Sequence, residues 1–191
     1  MCRHKFCYRL KASCLRRAAI WYAEDGEITD SILGGIKDVS LKNVKMKGKY
    51  SFQYMENLEI ADCEFDTKDA FWHSKNVTVR DSVIKGEYLG WFSEGLTLVN
   101  CKIIGTQPLC YCKDLKLVNC TMEETDLSFE YSDVDADIRG DVVSIKNPKS
   151  GVIVVDSVGE LVWDAPVMEC TGKVVLRNEG KVTVNDMGLC C

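Results

Sequence analysis

The hydrophobic positions of residues 37–131 fall into columns when the chain is cut every nineteen residues. The third place of each line holds Val39, Leu58, Val77, Leu96 and Leu115, and the fifth holds Leu41, Ile60, Val79, Leu98 and Leu117. Between them stand Ser40, Glu59, Thr78, Thr97 and Lys116, the alternation of a strand with one buried face. The seventh place is Asn43, Asp62, Asp81, Asn100 or Asn119, residue types that tolerate left-handed backbone and bond nearby amides at a corner. A second alternating pair follows at the eighth and tenth places, and an apolar stretch such as Ala70-Phe71-Trp72 closes each unit as a third strand. A fixed period of this kind predicts a solenoid. Three short strands in nineteen residues leave no room for a helix, so the fold class is all-β, a parallel β-helix. The crossover rule makes it right-handed.

Outside these lines the period weakens. Residues 1–17 are expected to form a cap or arm, with Cys2, Phe6, Leu10 and Cys14 at helical spacing. Residues 18–23 (AAIWYA) match the end of a unit, which leaves 24–36 a coil about six residues short, broken at Gly34-Gly35. Residues 132–140 read as an acidic loop, and 141–145, 151–155 and 160–163 as strands of a β-helix running from 18 to 164. Residues 165–191 form a C-terminal cap, with a hairpin turn at Asn178-Glu179-Gly180.

Charge divides the chain: 1–17 carries +6, which leaves −11 on the remainder of a total of −5. No apolar run reaches the length of a membrane span, and the basic segment lacks the apolar core of an export signal. No phosphate loop, nucleophile elbow or basic stripe for nucleic acid appears in the coils. Eleven cysteines without an export signal point to a reducing cytoplasm. Cys63, Cys101 and Cys120 fall in the small eighth column, where a thiol packs as a hydrophobe. Cys2, His4, Cys7 and Cys14 are zinc-type ligands at no standard spacing, and the Cys110/Cys112 and Cys190/Cys191 pairs stand too close for a bridge or a metal pair. Asp133, Asp135 and Asp137 open like a calcium loop, but Ile138 and Ser144 stand where its Gly and Glu belong. Neither a metal nor a cofactor is expected.

Two constellations remain. Asp62 and Asp81 share a column, so their carboxylates lie about 5 Å apart at strand spacing, a candidate catalytic pair for glycoside hydrolysis or a plain corner ladder. In the closing strand, strict alternation buries either places fifteen and seventeen or sixteen and eighteen. Burying the Trp column (Trp21, Gln53, Trp72, Trp91, Cys110, Phe129) turns Tyr22, Tyr54, His73, Phe92 and Tyr111 outward as an aromatic stripe. Such a stripe fits a glycan or a protein partner, and exposed coil ends fit a homo-oligomer.

The lines DAFWHSKNVTVRDSVIKGEYLGW (69–91), LTLVNCKI (96–103), LCYCKDLKLVNCTM (109–122) and SFEYSDVDADI (128–138) resemble a bacterial family known as domain of unknown function 3737. The likeness covers about 17–164. It implies a right-handed single-stranded β-helix related in fold to pectin lyases, with no activity attached. Carbohydrate chemistry enters only by that fold-level analogy. Family members carry further coils before the IWY segment, which implies that this chain is a shortened version. The expectation is therefore a binding scaffold, with a carbohydrate-active enzyme or an assembly protein as the alternatives.

Overall fold

The computed structural model describes residues 22–29, 34–35, 37–165, 167–177 and 182–183, with 22–29 and 182–183 as backbone. The strands are β1 (Tyr22–Thr29), β2 (Lys37–Lys49), β3 (Glu56–Ala61), β4 (Glu64–Lys68) and β5 (Lys75–Arg80). Then come β6 (Val83–Lys85), β7 (Glu94–Val99), β8 (Lys102–Ile104), β9 (Leu115–Glu123) and β10 (Asp133–Arg139). The last are β11 (Asp141–Lys146), β12 (Ser150–Val155), β13 (Ser157–Val162), β14 (Lys173–Leu176) and β15 (Val182–Thr183). Among the described residues no helix is present.

Parallel pairing runs in the order β14-β12-β10-β9-β7-β5-β3-β2 on one side of the coil. A second side runs β2-β4-β6-β8, with β2 and β9 long enough to serve both. The nineteen-residue register is direct: Val39 faces Leu58, Leu58 faces Val77 and Val77 faces Leu96. Met46, Phe65, Ile84, Ile103 and Met122 line up on the second side. All of these are buried and form one continuous core. The corner residues Asn43, Asp62, Asp81, Asn100 and Asn119 have φ between 50° and 56°, the left-handed conformation their side chains tolerate.

Several expectations are corrected. Tyr22 faces Ser40 and Ile28 faces Met46, an eighteen-residue offset, so β1 forms the first and second sides of a nearly full coil. Gly34 then bridges Gln53, nineteen residues on. The match of AAIWYA to the end of a unit fails at Tyr22 and Ala23, which pair with Ser40 and Leu41 on a first side. Residues 133–139 are strand β10, because Val134, Ala136 and Ile138 alternate inward while the acidic residues between them face out. Strand β14 adds a further rung on β12 and pairs antiparallel with β15, the expected hairpin. The expectations for 1–17, Trp21 and 178–181 lie outside the described residues.

Candidate functional site

The third side of each coil is not an extended strand. Tyr50, Phe52 and Tyr54, then Asp69, Phe71 and His73, then Tyr88, Gly90 and Phe92, place left-handed φ at every second residue. Coil-to-coil hydrogen bonds continue through it, from Tyr54 N to Trp72 O at 2.8 Å and from Phe71 N to Ser51 O at 3.0 Å. This backbone breaks strict alternation, so two successive places turn inward. Ser51, Ala70 and Leu89 are buried, and so are Phe52, Phe71, Leu109 and Phe129 in the next column. Phe52 stacks on Phe71 with centroids 5.1 Å apart. At Gly90 a Cβ would lie 2.9 Å from a Leu109 methyl and 3.0 Å from a Leu96 methyl, so the neighbours already fill that space.

The Trp column is therefore not core. Trp72 and Trp91 are half-buried at the edge, stacked 5.6 Å apart, and donate their indole N–H to Tyr88 O and Gln107 O at 2.7 Å. Cys110 in that column is buried, whereas Phe129 belongs to the inward column. One extra residue between Glu123 and Asp126 causes the shift: Gly105 N bonds Glu123 O, eighteen residues on, but Gln107 N bonds Asp126 O, nineteen on. The same shift puts Tyr131, not Glu130, at the end of the aromatic column. The serine and thiol column Ser74, Ser93, Cys112 and Ser132 carried the signal of that extra residue.

Tyr54, His73, Phe92 and Tyr111 do turn outward together, and they form a ladder. Tyr54 stacks on His73 at 5.1 Å and 8°, His73 on Phe92 at 5.0 Å and 8°, and Phe92 on Tyr111 at 4.9 Å and 14°. Tyr131 continues it, tilted at 38°. Tyr22 is absent from it, since it lies on the first side. Each stacked pair contributes about 0.5–1.5 kcal/mol beyond its buried area. Because the rings stack along the coil axis, the inner ones spend their faces on each other and present edges outward. Tyr54 is 63% exposed and Phe92 43%, while Tyr111 is half-buried. Burial, then the nearby Glu130 carboxylate, pushes the Tyr111 phenol upward, and that phenol donates to Glu130 at 3.3 Å.

Asp62 and Asp81 sit at exposed corners of successive coils. Asp81 accepts the amide of Asn100 at 2.9 Å, and Asn100 accepts that of Asn119 at 2.9 Å. A second ladder of this kind joins Asn76, Asn57 and Asp38.

Charges follow the same coil-to-coil rule. Lys45 pairs with Glu64, Lys68 with Glu87 and Lys75 with Glu94, each nineteen residues apart. Lys49 departs from this rule, since its register partner is Lys68. Both border an open furrow of about 610 Å³, walled also by Lys47 and Lys85 and floored by Gly86 and Gly105. A Cβ on Gly105 would lie 2.3 Å from Gly86 O, so only glycine fits there.

Cys63, Cys101, Cys110, Cys112 and Cys120 are buried free thiols. Burial pushes Cys112 up to about 11, and a hydrogen bond with Cys120 together with burial holds Cys101 high, as expected of packing groups. Asp133 bonds Lys149 and Ser150, Asp135 accepts from Val152 N, and Asp137 accepts from Arg177. Among the described residues there is no cluster of three metal-ligating groups and no helix long and apolar enough to cross a membrane.

The chain matches no curated protein and no solved structure. Residues 36–175 match the family described as Protein of unknown function (DUF3737), the span of the stacked coils from β2 to β14. The chain belongs to that family.

Proposed function

We propose that this protein is a β-solenoid binding scaffold whose third side docks a protein partner along the aromatic ladder. The observation that carries the reading is a strip of stacked rings spanning five coils and left exposed at Tyr54 and Phe92. An exposed apolar strip on a folded chain marks an interaction surface. Tyr, which supplies three of the five rings of this strip, is among the residue types that anchor protein interfaces. Inner rings whose faces are spent on neighbours offer little to the flat face of a sugar, whereas a row of ring edges with hydroxyl and imidazole tips suits a polypeptide.

The test is affinity capture from cell extract with the parent protein and the double variant Tyr54→Ala/Tyr111→Ala, beside a glycan array. A captured protein should bind the purified parent directly and lose about tenfold or more with the variant, whose circular dichroism should be unchanged. Sugar binding lost in the same variant would replace the partner with a glycan. Capture that ignores the substitutions would overturn the reading.

A further inference from the structure

The ladder has two different ends. At the Tyr131 end the chain returns over it, and Val167 N donates to the Tyr131 hydroxyl at 3.3 Å. At the other end, among the described residues, Tyr54 stacks on His73 through one face only. The position above its second face belongs to the preceding coil, where Gly34 bridges Gln53 and Gly35 N bonds Gln53 O at 2.8 Å. Gly35 thus occupies the ladder's own register but brings no ring. A Cβ built on Gly35 meets nothing within 4 Å, and its φ of 66° resembles the 52–60° of Tyr54, His73, Phe92, Tyr111 and Tyr131. Backbone and space are both suited to an aromatic residue at that point, and the open face leaves Tyr54 63% exposed, against 43% for Phe92.

We infer that the slot between Tyr54 and the Gly34-Gly35 corner is a stacking site for one aromatic side chain of the partner. This rests on the protein-partner reading and adds where the partner inserts and what it inserts. Four successive coils show the complementary group: a flat ring at about the 5 Å spacing of the stack. An occupant of the slot meets the electron-rich face of a phenol, so an indole or phenol ring held parallel and offset is favoured. Without a Cβ at position 35 the ring can enter from the side as well as from above.

The experiment is a titration of the full-length protein with N-acetyltryptophanamide, read from the NMR shifts of the Tyr54 ring protons, with methyl glucoside as a parallel arm. The expected result is a saturable upfield shift of Tyr54 with the indole and none with the sugar. Gly35→Tyr supplies the absent ring from within the chain. It should abolish the shift and weaken the partner about 2- to 10-fold, the range of a single stacked pair. It should also raise thermal stability, which separates a filled slot from a misfolded variant. An unmoved Tyr54 resonance would overturn the slot, while loss of the partner in Tyr54→Ala/Tyr111→Ala would leave the wider reading standing. Saturation by methyl glucoside would overturn the aromatic occupant, and contacts from Phe6, Tyr8 or Trp21 to the Tyr54 ring would give the slot to the chain itself.

Discussion

Asp69 shows how much one column position can cost. It stands where Tyr50 and Tyr88 stand on the adjacent coils, only 3% exposed, and burial pushes its carboxyl above the usual range while Lys68 pulls it back. A carboxyl whose pKa is raised by folding contributes its full stability below the unfolded value of about 4 and loses it as pH rises through the folded value. Asp69→Asn should therefore stabilise the protein, by more at pH 7 than at pH 4, as read from urea midpoints. Asn tolerates the φ of 55° at this position, as Asn100 and Asn119 do at theirs. An equal shift at both pH values would show that the charge is not the cause. At this scale the corner residues were legible, because left-handed tolerance is a local property of Asn and Asp. The inward Phe column was not, because alternate left-handed residues rotate side chains away from the period-two pattern that a strand would impose.

Between elements, each coil face is a set of ladders, and a ladder is only as good as its worst neighbour. Lys49 on β2 faces Lys68 on β4 in register, a like-charge neighbour on a surface where Lys45, Lys47 and Lys75 each have an acidic partner. Lys49→Glu should add about 0.2–1 kcal/mol at low salt, and the gain should fade as salt screens the exposed pair. Thermal melts at two ionic strengths would decide it, and no gain at low salt would refute the repulsion. The register of these strands could be read from the sequence because five repeats agree. Where only one copy was available the reading slipped: the match of AAIWYA to the end of a unit misplaced β1, and acidic content concealed β10, whose buried Val134, Ala136 and Ile138 define the strand.

In the whole molecule, stability is the sum of coil-to-coil contacts, so damage should stay local. Arg177 ties the last rung to the stack, donating to Asp156 and Asp137 at 2.6 Å and to Ile138 O at 2.8 Å. Arg177→Gln should speed amide exchange in β12 and β14 and leave β3, β5 and β7 unchanged. Uniform acceleration would mean that the solenoid unfolds as one unit. The chain by itself determined the coil period, the corners and the buried faces of the first two sides, because each follows from local preference repeated nineteen residues apart. Only the tertiary structure decided which third-side residues point outward and which ring faces remain free, since both depend on the backbone handedness of that side and on what the neighbouring coil stacks against it.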